Sequence, residues 1–169
     1  MARNGLRRYL DYVYLAFFII HVPVMLLVDL APLYPTTIQS LPIFNLRRYY
    51  ITTYQDQFFT KPPPWFTMYL WLEALFHLPL SLWAIPALLR DSPHLPPALL
   101  VFAVQTAVTT LTCIADYRSW SGFSDEAKGK LDGVYLPYLA LAVCMGGDMF
   151  LRLVGAARGR ARGGKAGRG

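Results

Sequence analysis

Four apolar stretches divide the chain, at about residues 9–30, 65–89, 97–115 and 133–153. Each is close to the roughly 20 residues that a helix needs to cross a hydrocarbon core about 30 Å thick. Hydrocarbon offers backbone N–H and C=O groups no water, so segments of this kind fold as helices that satisfy their own hydrogen bonds. The remaining composition agrees with that solvent. Of the 169 residues, 55% are hydrophobic and only 15% charged, against about 25% charged in an average soluble domain. Too few charged side chains remain to cover a surface facing water. The expected fold is all-α, a polytopic membrane protein with a four-transmembrane-helix bundle over residues 1–154. Residues 155–169, almost wholly Gly, Ala, Arg and Lys, read as a disordered basic cytosolic tail. The first stretch is followed by Asp29-Leu30-Ala31-Pro32 rather than a small-residue cleavage site, so it reads as a retained helix.

Lys and Arg number 16 against 10 Asp and Glu, a formal charge of +6. Such a balance raises the question of nucleic acid, but position answers it. Arg3, Arg7 and Arg8 at one end, and Arg152, Arg158, Arg160, Arg162, Lys165 and Arg168 at the other, flank apolar segments. With an even number of spans, these nine and Arg90 share a side, and six cations lie opposite. Both termini are therefore expected in the cytosol, with no nucleic-acid partner. Cys113 and Cys144 fall inside apolar runs and read as packing residues, so no disulfide, metal site or cofactor is expected.

The connection between the first two spans is about 34 residues long, where helix–helix joints usually take about 2–8. Within it Leu46, Tyr50, Tyr54 and Phe58 recur every four residues, which predicts a short lumenal helix over 43–60 lying on the bundle. Lys61-Pro62-Pro63-Pro64 then predicts a stiff extended stretch leading to Trp65 at the membrane interface.

Ionisable side chains within a span are costly and point to function. His21, Asp29, Glu73, His77, Asp148 and Arg152 are of this kind, joined by uncharged Gln105, Thr106, Thr109 and Thr110. At about 1.5 Å per residue, Glu73, Thr110 and Tyr138 come to similar depths in the lumenal half, with Asp29 shallower. No lysine or arginine is expected at the depth of Asp29 and Glu73. Two readings stay open: the two acids share a proton until a cationic ligand amine ionises one, or they bond to each other and to Thr110 or Tyr138 and so fix the bundle. Glu73 and His77, four apart, form either an acid–base pair or a pair in which His77 donates to a neighbouring helix. His21 lies two residues before Pro23, where a broken helical ladder frees a carbonyl for its proton. Asp148 and Arg152, also four apart, read as a helix-surface ion pair with Arg152 snorkelling.

The run His21-Val22-Pro23 with Asp29-Leu30, then Asn45-Leu46, Tyr50, Asp56, Pro62-Pro63, Trp65-Phe66, Glu73, Leu78-Pro79, Thr109-Thr110 and Tyr135-Leu136-Pro137-Tyr138, resembles the EXPERA-domain membrane family, in its receptor branch. Another member is the emopamil-binding protein, a sterol isomerase. The resemblance spans nearly the whole chain. It implies a four-helix endoplasmic-reticulum protein, commonly a homodimer, with a pocket open sideways to lipid that binds sterols and hydrophobic amines. It also implies a link to cholesterol homeostasis and to a Niemann–Pick type sterol transporter. By position, Asp29 resembles the carboxylate that pairs with the ligand amine, Glu73 its hydrogen-bonded partner, and Asp56 an aspartate on which binding depends through the shape of the lumenal cap. Leu46, Tyr50, Thr110 and Tyr138 match pocket-lining positions, and His21 and His77 complete the expected site. His77 stands where that branch carries glutamine, and the chain ends Gly-Arg-Gly rather than in a lysine cluster. The leading expectation is a receptor for sterols and lipophilic cationic amines, to which the sequence itself assigns no catalysis. The alternative is a Δ8–Δ7 sterol isomerase using Glu73 and His77, and a trafficking adaptor is a third.

Overall fold

The computed structural model describes the backbone of residues 5–166 and the side chains as far as Gly159. Arg3 and Arg168 lie outside it, as do the side chains of Arg160, Arg162 and Lys165. Helix α1 covers Gly5–Val24 and runs on through a π-helical turn, Met25–Asp29. After a cap, helix α4 (Pro64–Leu72) passes through a second π turn, Glu73–His77, into α5 (Leu78–Leu89). Helix α6 spans Leu95–Ser119 and α7 Asp125–Ala166. Four helical units, Gly5–Asp29, Pro64–Leu89, Leu95–Ser119 and Asp125–Gly159, are long and apolar enough to cross a membrane. Among the described residues there is no strand. Leu75, Ile20 and Leu151 project outward, each more than half exposed, as side chains facing lipid do.

Local chemistry explains where the elements begin and break. Pro64 opens α4, where a missing N–H costs nothing, and Pro63 before it is extended at φ −69° and ψ 156°, as the triple proline predicts. Pro79 needs the carbonyl four residues back kept clear of its ring. The π turn ending just before it, closed by Leu78 N–H on Glu73 C=O, widens the helix there. The fourth span starts at Asp125, eight residues before the apolar run. Ser124 Oγ accepts the Ala127 N–H at 3.2 Å, and Asp125 and Glu126 occupy the first turn, where the helix dipole favours acids. The backbone over 155–166 continues as helix in a segment read from sequence as a disordered tail; Ala, Arg and Lys all carry good helix propensity.

The long connection is a cap of short pieces: α2 (Thr36–Gln39), a 3₁₀ turn Pro42–Phe44, α3 (Asn45–Tyr54) and a 3₁₀ turn Gln57–Phe59. The single helix expected over 43–60 stops at Tyr54 because Gln55 adopts a left-handed conformation, φ 53°. Helix α3 lies on the π turn Met25–Asp29.

Two apolar clusters hold the bundle. Tyr14, Phe18, Ala84, Leu99, Phe102, Met145 and Met149 pack the half away from the cap, and Phe58, Phe66, Leu70, Cys113, Tyr117 and Leu131 pack the half beneath it. Asp148 and Arg152 correct the sequence reading. They do not sit on the helix surface: Arg152 Nη2 meets Asp148 Oδ2 at 2.6 Å while its Nη1 reaches across to Asp11 Oδ1 of α1 at 2.7 Å. Tyr14 donates to Asp148 at 3.2 Å, and Asp11 is only 5% exposed. The i,i+4 pair is one edge of a buried cluster that ties α1 to α7.

Candidate functional site

A cavity of about 460 Å³ lies between the two clusters, beneath the cap. That volume falls within the usual range for small-molecule sites, about 300–1,000 Å³. Its walls are mostly aliphatic and aromatic, with Val24 and Val28 from α1 and its π turn, Leu72, Phe66 and Tyr69 from α4, and Phe59 from the cap. Against this lining stand a few polar groups. Asp29 closes one π turn and Glu73 opens the other, and both carboxyls face the cavity. Each lies within electrostatic range of the other.

His21, Tyr50, His77, Thr110, Tyr138 and the half-exposed Leu46 line the same space. Eight of the nine residues selected from sequence are thus brought together from α1, the cap, the second span, α6 and α7. The ninth, Asp56, does not reach the cavity. It is fully buried behind it, where Oδ2 accepts the hydroxyls of Tyr50 at 2.9 Å and Tyr135 at 2.8 Å, and Oδ1 accepts the Phe58 N–H at 3.0 Å. Burial raises the Asp56 carboxyl above its ordinary range, and the three hydrogen bonds oppose that rise. Both phenols face the cavity, so Asp56 sets the position of two lining side chains without touching what lies between them.

The histidines also differ from expectation. His21 does not turn to a carbonyl freed by Pro23. Its Nε2 meets the Tyr138 hydroxyl of α7 at 3.3 Å, and its ring stacks on Phe17 at 4.9 Å. His77 does not donate to a neighbouring helix: its Nε2 is buried without a hydrogen-bond partner, and its ring lies 4.6 Å from that of Phe102.

Arg47 is the residue that spacing conceals. No lysine or arginine was expected beside the two acids, yet the Arg47 guanidinium donates to the Val28 carbonyl at 2.6 Å and lies within electrostatic range of Asp29. It also rests over the Phe59 ring, 5.0 Å from the centroid. Burial lowers the Arg47 pKa from its usual value and Asp29 works against that. Asp29 is therefore partly compensated by a cation of the cap, whereas the influences on Glu73 are burial and Asp29. Tyr135 and Gln105 are further lining residues to which spacing assigns no role. Tyr135 meets Asp56 across 79 positions of chain, a separation with no local signature.

Residues 42–149 match the family model described as EXPERA, the expanded EBP superfamily. The chain is 32% identical over 151 residues to Efficient mitochondria targeting-associated protein 19 of Schizosaccharomyces pombe, covering 88% of this chain and 79% of that one. It is 26% identical over 153 residues to Sigma intracellular receptor 2 of Homo sapiens, covering 83% and 87%. The Xenopus tropicalis receptor of the same name is 25% identical over 148 residues, covering 82% and 86%.

Proposed function

The chain belongs to the EXPERA family of multi-pass membrane proteins, and from that premise we propose that it is a receptor for sterols and lipophilic cationic amines, held in the endoplasmic-reticulum membrane with both termini in the cytosol. One observation carries the reading: two carboxyls from different spans face a single, mostly apolar cavity. In so dry a place a carboxylate gains most from a ligand that brings its own cation. The ligand's rings occupy the aromatic slot, and its ammonium donates to Asp29 with Glu73 beside it. A ligand cation competes with Arg47 for Asp29, and Glu73 faces the same cavity. The similarity to proteins named sigma intracellular receptors supports the same class of ligand.

Equilibrium binding of a tritiated lipophilic tertiary amine to the purified full chain tests this. Asp29→Asn and Glu73→Gln are each expected to weaken binding about tenfold or more, the scale of one charge-assisted hydrogen bond. Asp29→Asn binding as tightly as the parent overturns the role of Asp29. A sterol identified by mass spectrometry in the purified protein supports the second ligand class.

A second reading rests on Glu73 and His77 sharing one π turn and both lining the cavity, and on the family's link to a sterol isomerase. One of the pair would protonate a ring double bond and the other take a proton from the adjacent carbon, leaving the protein's proton count unchanged. Incubation with a Δ8-sterol separates the two readings, since Δ7 product makes the protein an enzyme and its absence leaves a receptor.

A further inference from the structure

The cavity has a second polar pole on the side away from the cap. His77 is 5% exposed and its ring lies against Phe102, which is 1% exposed. Gln105 follows Phe102 by three residues along α6 and so shares its face. Both line the cavity, and both carry a buried Nε2 without a hydrogen-bond partner. The nearby His21 differs, because Tyr138 partners its Nε2. A buried polar atom without a partner is destabilising, and two that face the same space ask for one group that satisfies both.

With the His77 proton on Nδ1, the chemistry of the two nitrogens selects that group. The Gln105 amide nitrogen only donates, so it needs an acceptor. The Nε2 of a neutral His77 whose proton sits on Nδ1 only accepts, so it needs a donor. An alcohol oxygen accepts one hydrogen bond and donates another. A ketone or an ether oxygen accepts only, leaving His77 unpaired. His77 ends the π turn that Glu73 opens, so an oxygen held there sits about one turn of helix from Glu73.

We propose that His77 and Gln105 form a hydroxyl-reading subsite at the floor of the cavity, which takes the alcohol end of a sterol-like lipid while its apolar body lies against the walls above. The subsite rests on the receptor reading of the cavity and divides its ligands into two classes. Cationic amines end at Asp29 and Glu73, and neutral alcohols end at His77 and Gln105.

The test uses the full-length chain in detergent micelles and two probes that differ in one hydrogen-bond donor, tritiated cholestanol and its 3-O-methyl ether. The parent is expected to bind the alcohol about tenfold more tightly than the ether. Gln105→Leu should reduce that preference to about threefold or less, with circular dichroism showing that it keeps the helical content of the parent. His77→Phe should reduce the preference likewise, and His77→Gln, which keeps a donor and an acceptor, should retain it. Equal binding of alcohol and ether by the parent overturns the subsite, as does a preference that survives both Gln105→Leu and His77→Phe. Failure of the underlying receptor reading looks different: the parent then binds neither probe and no amine, and the subsite falls with it.

Discussion

Asp56 shows how a buried acid governs a cavity it does not enter. Its carboxyl gathers Tyr50, Tyr135 and the Phe58 N–H. Asp56→Ala leaves those donors without an acceptor, at about 1 kcal/mol or more each. The thermal midpoint in detergent should fall by about 6–12 °C for a loss near 3 kcal/mol in a chain of this size. Ligand affinity should fall with it, because Tyr50 and Tyr135 lose their common anchor. The pH dependence has a definite sign. With its pKa raised by burial, Asp56 binds its proton more tightly in the folded chain than in the unfolded one. Its contribution is complete below the ordinary carboxylate value, about 4, and is lost as pH rises through the raised one. Thermal scans from about pH 4 upward should show the parent losing stability where Asp56→Asn does not; parallel curves would remove Asp56 as the titrating group.

The cap is held to the bundle by few long-range bonds, and Arg47 supplies a central one. It ties α3 to Val28 of the first span, with a weaker bond to the Phe59 carbonyl at 3.4 Å. Arg47→Met keeps most of the apolar stem and removes the guanidinium. Amide exchange across 45–54 should then speed up about tenfold, as expected for a local unit that loses roughly 1.4 kcal/mol, and a bound amine should dissociate faster. Unchanged exchange would mean that apolar packing alone holds α3. The spans themselves were legible in the sequence because hydropathy is a local property averaged over many residues. The ends of the elements were less so. Gln55 terminates α3 by adopting a conformation that its side chain does not advertise, and the polar first turns of α7 fall outside any apolar run. The acids of the site were legible as anomalies, two charges where lipid excludes them. Their surroundings were not: Arg47 reaches its carbonyl over 19 positions and Tyr135 reaches Asp56 over 79.

At the scale of the molecule the two ends of the bundle do opposite work. The end away from the cap carries Arg152 between Asp11 and Asp148, joining residues 141 positions apart. Breaking a buried ion pair by removing one partner costs about 3–5 kcal/mol, so Arg152→Leu should lower the thermal midpoint by roughly 10 °C. Its effect on amine affinity should be small, because the cluster lies apart from the residues that line the cavity. Equal losses in Arg152→Leu and in a surface variant such as Lys130→Leu would show that the cluster adds nothing. On that side Phe18, Phe102, Met145 and Met149 are packed together, each 1% exposed or less. Phe102 belongs both to that packed cluster and, through its ring contact with His77, to the backing of the cavity wall. A ligand that presses on His77 therefore presses on Phe102 as well, and the close packing behind that ring passes the strain to the far end of the bundle.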